Sequence, residues 1–168
     1  SKHVLIVAPG LTVRSRLEVL TPGGDDNYFV KFAVVPSGMM ALLRQGSLKI
    51  INWQSMAWQT DEEIAKKKSV DKRGALSDEA YTREVLGEMS RYHNILVIND
   101  EAHHAWRKNP EIKISLKGQD KKEYIANEEE ATVWISGLDR INKTRNILCC
   151  YDFSATPFAP SGKKNDDE

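Results

Sequence analysis

The chain has 168 residues, of which 40% are hydrophobic and 29% charged, as is typical of one globular domain of ordinary size. Its 24 Lys and Arg residues balance its 24 Asp and Glu residues, so net charge gives no sign of a nucleic-acid partner, and any basic groove must be local. No apolar run is long enough to cross a bilayer and no signal segment opens the sequence, so we expect a cytoplasmic protein with no membrane partner.

Strands and short helices alternate in the first part of the chain. Apolar and β-branched runs predict strands at residues 3–10, 28–35 and 48–53. Between these strands, the spacing of apolar residues predicts a short helix at 13–20 and a helical turn at 39–44. A strand at the very start of a chain is unusual for a domain, so we expect the sequence to begin at a fragment boundary.

Two amphipathic helices and two further strands are predicted in the second part. Ser77 is the expected cap of a helix that runs to about residue 92, with an apolar face formed by Tyr81, Val85, Leu86 and Met89. Residues 128–143 predict the other helix, with an apolar stripe of Ala131, Trp134, Leu138 and Ile141. The continuous apolar runs 94–99 and 146–153 predict strands buried on both faces.

The remaining stretches are polar. We expect residues 62–74 to form a surface helix end and loop, 107–123 to be irregular, and 161–168 to be a charged flexible tail or linker. Cys149 and Cys150 are neighbours that point to opposite faces of a strand, so a disulfide or metal pair is disfavoured. We expect reduced thiols on a buried strand.

This alternation predicts an α/β domain with a mostly parallel sheet flanked by helices. Ligands of such sheets bind outside the carboxyl ends of the strands. Asp100 and Glu101 stand at such an end, directly after the strand 94–99, and His103 follows them. An Asp there is a natural Mg²⁺ ligand, and an adjacent Glu can orient or deprotonate an attacking water.

Blander interpretations compete with this one. An Asp-Glu pair after a strand is usually a solvated loop, and on that pair alone the loop is the better interpretation. A zinc site at His103 and His104 is weaker still, because adjacent histidines rarely point at one ion and the H-E-x-x-H spacing is missing.

Three stretches that follow predicted strands change this balance when they are taken together. They are DEAH at 100–103, SATP at 154–157 and APGLTVRSRL at 8–17, and they resemble motifs II, III and Ia of the superfamily-two helicases and translocases. Longer stretches resemble the helicase-like Res subunit of type III restriction enzymes and related bacterial and phage proteins: DEAHHAWR at 100–107, EEEATVWISGLDRI at 128–141 and YDFSATPF at 151–158. The resemblance covers about residues 4 to 160.

The resemblance implies catalytic and coupling roles at motifs II and III. Asp100 would bind Mg²⁺ through water, and Glu101 would activate the water that attacks ATP. His103 would link the nucleotide site to the hydroxyls of Ser154 and Thr156. Without the DEAH stretch, Ser-Ala-Thr-Pro would be a plain turn at a strand end.

The resemblance also implies a nucleic-acid surface. The residues implied to contact it are Pro9, Gly10, Leu11, Thr12, Arg14 and Gln54, with Thr12 and Arg14 as donors to phosphate. Ser55 is an alternative to Gln54, and Trp53 either stacks on a base or belongs to the core. For any single residue here, a strand-to-helix turn with a solvated arginine competes closely.

The sequence departs from the family pattern in one important respect. It has no G-x-x-x-x-G-K-[ST] phosphate-binding loop, since Ser161-Gly162-Lys163 lacks the strand–loop–helix context. We therefore expect residues 1–160 to be part of a first RecA-like motor domain, a P-loop NTPase fold that begins at motif Ia without the P-loop strand. ATP and Mg²⁺ would be cofactors of the full-length parent, and this part alone should hydrolyse ATP negligibly.

Four functions are compared on this basis. The leading one is part of an ATP-dependent DNA helicase or translocase of a type III restriction system, acting on double-stranded DNA with a Mod-like methyltransferase as a possible partner subunit. The alternatives are an RNA helicase, a non-catalytic interaction domain of degenerate motor fold and, least favoured, a His/Asp/Glu metal hydrolase. A missing strand would leave an exposed apolar edge, so we also expect marginal stability or self-association.

Overall fold

Four parallel strands form a single sheet in the computed structural model, which describes residues 2–57, 77–106 and 118–155. The strands are β1 (His3–Ala8), β2 (Ser47–Asn52), β3 (Ile95–Asp100) and β4 (Ile147–Phe153), in the order β2-β1-β3-β4. Every neighbouring pair is parallel. The predicted α/β architecture with a mostly parallel sheet flanked by helices is confirmed. The stretch 62–74, most of 107–123 and the tail 161–168 lie outside the described residues.

Five α-helices are described: α1 (Leu11–Leu17), α2 (Tyr28–Lys31), α3 (Met40–Leu43), α4 (Asp78–Leu86) and α5 (Gly118–Arg145). Short 3-10 helices lie at Glu18–Leu20, Ser37–Met39, Trp53–Met56, Gly87–Arg91 and Ala102–His104. The Ser77 cap is confirmed, because its Oγ accepts a hydrogen bond from the Ala80 backbone N–H at 3.1 Å. Across the described ranges, no helix combines the length and apolarity that a bilayer crossing requires.

The core lies between α4, α5 and one face of the sheet. The inward residues of the central strands, Leu5, Val7, Ile95 and Val97, are fully buried there. Both predicted apolar faces are confirmed, since every residue of each is buried: Tyr81, Val85, Leu86 and Met89 on one side, and Ala131, Trp134, Leu138 and Ile141 on the other. Each large apolar side chain buried in this way contributes about 1.5–3 kcal/mol to folding.

Gly137 allows α5 to lie unusually close to the neighbouring elements. A Cβ atom at this position would lie 2.5 Å from Tyr81 Oη and 2.9 Å from Met56 Cβ. The same Tyr81 hydroxyl donates a hydrogen bond to the Met56 carbonyl at 2.8 Å. Only glycine therefore fits the point at which α5 crosses α4 and the turn after β2.

Two element predictions were wrong. Residues 28–35 were expected to form a strand, but they begin with the helix α2, because the Asn27 side chain accepts a hydrogen bond from Val30 N at 3.0 Å and caps it. Residues 118–127 were expected to be irregular or outside the helix, yet α5 already begins at Gly118. Helix formers such as Lys, Glu and Ala extend α5 there without an apolar stripe.

The expectation that 146–153 is a buried strand was also wrong. In the described sheet β4 is the last strand and pairs only with β3, so one of its edges is open. Leu148, Tyr151 and Phe153 are 53%, 53% and 58% exposed. Cys149 and Cys150 are free thiols, as expected, but they are exposed rather than buried. The register between β3 and β4 also shifts at Ile95/Leu96, which leaves Leu148 as an extra residue in β4.

The open apolar edge of β4 predicts self-association of the 168-residue chain, because an unpaired strand is a template for pairing with another chain. We expect the weight-average mass in sedimentation equilibrium to rise with concentration. Tyr151→Lys should lower this association by placing a charge on the edge. Val30→Lys, which changes an equally exposed residue on α2, should not. A dilute monomer that melts sharply and does not respond to Tyr151→Lys would contradict this prediction.

A buried arginine ties the end of α5 to α4. The Arg145 side chain is only 7% exposed, and its Nη1 and Nη2 donate to Glu79 Oε2 and Oε1 at 2.6 and 2.7 Å. Its Nε donates to the carbonyl of Ser90. Hydrogen bonds from Arg145, assisted by Arg83 and opposed by partial desolvation, lower the pKa of Glu79 to about 2. Two parallel bonds of this kind fix geometry as well as charge.

This pKa shift predicts how stability depends on pH. A carboxyl group with a pKa of about 2 in the folded state and about 4.3 in the unfolded state stabilises the fold fully above pH 4.3. That contribution is lost as pH falls toward 2. We expect Glu79→Gln to lower the urea midpoint at pH 7, with the difference from wild type vanishing near pH 2. Glu88→Gln, in an exposed pair with Arg91, is the control and should change little.

Candidate functional site

The candidate site is the edge of the sheet at which all four parallel strands end. Pro9 and Gly10 follow β1, the turn Trp53–Met56 follows β2, and the turn Ala102–His104 follows β3. Ser154 follows β4. The described site residues predicted from the sequence all lie at this edge or in the first turns of the elements that follow it, whereas Thr156 lies outside the described residues.

The turn after β3 has an unusual backbone at Glu101. This residue is left-handed, with φ 52° and ψ 48°, a conformation that non-glycine residues adopt rarely. Its backbone N–H donates to Asp100 Oδ1 at 3.1 Å, and its carbonyl accepts from the backbone N–H of His104 at 3.0 Å. Such conformations concentrate at functional sites. The turn aims two carboxylates and two imidazoles away from the strand within five residues.

His103 connects the ends of two neighbouring strands. Its Nδ1 lies 2.7 Å from Ser154 Oγ and 3.3 Å from Glu101 Oε2, and its side chain is only 18% exposed. The structure therefore brings together three of the residues singled out from the sequence. The contact spans 51 residues of chain and joins the turn after β3 to the residue after β4.

His104 extends the cluster toward α5. Its ring lies against that of His103, with centroids 4.2 Å apart, and its Nδ1 is 3.7 Å from Glu130 Oε1. The Glu130 side chain is 16% exposed. Burial raises the pKa of Glu130, and the nearby His103 opposes this rise. A partly desolvated carboxylate thus faces the histidine pair from the helix side.

A buried hydrogen-bond network lies directly beneath this turn. Asn99, the residue before Asp100, is 3% exposed. Trp134 Nε1 donates to Asn99 Oδ1 at 3.1 Å, and Asn99 Nδ2 donates to Asp152 Oδ1 at 2.6 Å. Our sequence reasoning missed Asn99, Asp152 and Glu130 and assigned Trp134 to the core alone. A polar Asn at the end of an apolar strand was the one available signal.

The residues predicted to contact nucleic acid lie along the β1 and β2 side of the edge. Leu11 is 67% exposed, and Thr12 and Gln54 are exposed as well. Gln54 Oε1 accepts a hydrogen bond from Asn52 Nδ2 at 2.6 Å. Trp53 is half-buried and packs against the core. These side chains are on the accessible side of the edge.

Arg14 occupies a different environment from its neighbours. It lines an open cleft of about 760 Å³ between α1, β2 and α4, together with Lys49 and Glu18. Burial and the nearby charge of Arg14 lower the pKa of Lys49. Two cations at one cleft give a local basic surface on a chain whose formal net charge is zero.

Asp100 has the chemistry of a magnesium ligand. Mg²⁺ prefers oxygen and is usually held by one or two carboxylates together with water and substrate phosphates. Asp100 ends β3 with Oδ1 fixed by the Glu101 N–H, so its carboxylate is held in one orientation. Within residues 2–57, 77–106 and 118–155, no three His, Cys, Asp or Glu side chains are grouped to hold a metal ion by themselves.

Comparisons of the chain with protein-family models, with curated proteins and with solved structures give no match. The resemblance to helicase motifs therefore depends on the residues and on their geometry. That geometry consists of an acidic turn after a central strand and a histidine that reaches the serine of the neighbouring strand.

The His103–Ser154 contact makes a direct prediction. Ser154→Ala removes the hydroxyl, so the side-chain ¹⁵N resonances of His103 should move because Nδ1 loses its partner. A histidine-labelled sample in a two-dimensional ¹⁵N–¹H spectrum would show the shift. Ser136→Ala, which removes an exposed hydroxyl on α5, is the matched control and should leave His103 unchanged. Equal spectra for both variants would mean that the contact is not populated in solution.

Proposed function

We propose that the chain is part of the first RecA-like motor domain of an ATP-dependent superfamily-two helicase or translocase that acts on DNA. The observation that carries this proposal is the His103–Ser154 contact beside Asp100 and Glu101. A solvated loop, the competing interpretation of the Asp-Glu pair, would require neither a left-handed Glu101 nor a mostly buried histidine bonded to the next strand.

In this function the residues of the turn have separate roles. Asp100 would hold Mg²⁺ on the nucleotide through water, and the bound ion would neutralise charge on the phosphates. Glu101 would orient or deprotonate the attacking water, for which its 41% exposed side chain is accessible. His103 would transmit the state of the nucleotide site to Ser154, and Thr156 is proposed to act with it.

The nucleic-acid contacts would come from the β1 and β2 side of the same edge. Backbone and hydroxyl donors near Gly10 and Thr12, with the guanidinium of Arg14, suit a phosphodiester backbone. Pro9, Leu11 and Gln54 would complete this surface. Because the basic surface is local, binding should be sensitive to salt.

Hydrolysis would need a phosphate-binding loop, and none occurs in these 168 residues. In the proposed function that loop is supplied by sequence outside them, so the 168 residues alone should hydrolyse ATP negligibly. The resemblance to Res subunits extends the proposal to a cytoplasmic type III restriction system, with double-stranded DNA as substrate and a Mod-like methyltransferase as partner.

The test is ATP turnover by the full-length gene product that contains this chain. Wild-type protein should hydrolyse ATP faster when double-stranded DNA is present. Glu101→Gln should lower turnover by at least about 100-fold while nucleotide binding is retained, because general-base catalysis is lost. Glu129→Gln, at an exposed position on α5, is the control and should behave like wild type.

The outcomes separate the alternatives. Stimulation by RNA rather than DNA would favour an RNA helicase. Turnover that is absent from wild type, or unchanged by Glu101→Gln, would favour a non-catalytic interaction domain. Hydrolysis that needs a metal ion but no nucleotide would favour a metal hydrolase.

A further inference from the structure

Helix α5 reaches the end of β3 with two side chains that lie one helical turn apart. Residues four positions apart in an α-helix share a face, and Glu130 and Trp134 have this spacing. Trp134 donates to Asn99, and Glu130 lies 3.7 Å from His104. These two targets flank residues 100–103, which form the proposed catalytic turn. The helix thus contacts the turn at both of its ends.

The contact at Asn99 also reaches β4. Trp134 satisfies the Asn99 carbonyl oxygen, and the Asn99 amide nitrogen donates to Asp152 at 2.6 Å. Asp152 stands two residues before Ser154. The ends of β3 and β4 are therefore joined twice, once by Asn99–Asp152 and once by the His103–Ser154 contact. A buried network with its polar groups satisfied holds a single arrangement, because any change leaves a polar atom without a partner.

We propose that Asn99, Glu130 and Trp134 are positioning residues that hold the His103 imidazole against Ser154, so that α5 controls the geometry of the hydrolysis site. This inference rests on the proposed function and deepens it. None of the three would touch the nucleotide. They act through the residues beside Asp100 and Glu101, and small displacements of such groups lower the rate of the chemical step more than they lower substrate binding.

A purely structural role is the competing explanation, and it is strongest for the fully buried Trp134. Glu130 separates the two explanations, because its side chain packs less tightly and a glutamine has the same shape. Burial disfavours the charged form of Glu130, so an uncharged amide at this position should not unfold the protein. Any change in rate or in the state of His103 would then arise from the contact with His104.

The experiment compares Glu130→Gln with Glu129→Gln in the full-length gene product. Two quantities are measured: ATP turnover as a function of ATP concentration with and without DNA, and the side-chain ¹⁵N resonances of His103 in histidine-labelled protein. Glu130→Gln should lower DNA-stimulated kcat about tenfold, as is usual for outer-shell partners of a site, with KM for ATP unchanged. The His103 resonances should move. Glu129→Gln should alter neither quantity.

Trp134→Phe is the second variant, since it removes the indole N–H and keeps an aromatic ring. It should shift the His103 resonances in the same direction as Glu130→Gln. If wild type hydrolyses ATP but Glu130→Gln matches it in kcat and in the His103 resonances, the positioning role is overturned and the proposed function stands. If wild type hydrolyses no ATP but the resonances still move only in Glu130→Gln and Trp134→Phe, the positioning role stands and the proposed function fails.

Discussion

One buried amide, the side chain of Asn99, holds together the three elements on which the site depends. It accepts from Trp134 on α5 and donates to Asp152 on β4, while its own backbone belongs to β3. An amide buried to this degree must have its polar atoms paired, because each unpaired one costs about 1–3 kcal/mol. Helix, strand and neighbouring strand are thereby fixed relative to one another immediately before the acidic turn.

The parallel sheet explains why residues far apart in sequence meet at this turn. Each strand of such a sheet must return to the same starting edge, so every strand ends at the opposite one. Loops at that edge can then combine a carboxylate, an imidazole and a hydroxyl from different parts of the chain without any one segment being strained throughout. The strain is confined to one left-handed residue, Glu101, which turns the chain out of β3.

The sequence predicted features that depend on local periodicity and missed those that depend on the order of strands. The apolar faces of α4 and α5 follow from helical spacing, and both are buried as expected. The apolar run of β4 was expected to be buried, but strand order places it at an open edge, and no local pattern encodes that order. The strand expected at 28–35 failed because a single cap, Asn27, outweighs the β-propensity of the residues after it. Motif positions at the site were predictable, whereas the Trp134–Asn99 pair, 35 residues apart, needed the fold.

The extra residue in β4 determines which chemistry the sheet edge presents. Leu148 has no partner in β3, so Phe153 lies opposite Asp100 and Ser154 comes level with Glu101. With Leu148 deleted, Ser154 would move about 3.3 Å along the strand, and the residues after the deletion would exchange faces. The serine hydroxyl would then point away from the imidazole. The spacing between a single irregularity and the strand end therefore acts as a ruler, and it sets which side chain His103 meets although the irregular residue lies at the far end of β4.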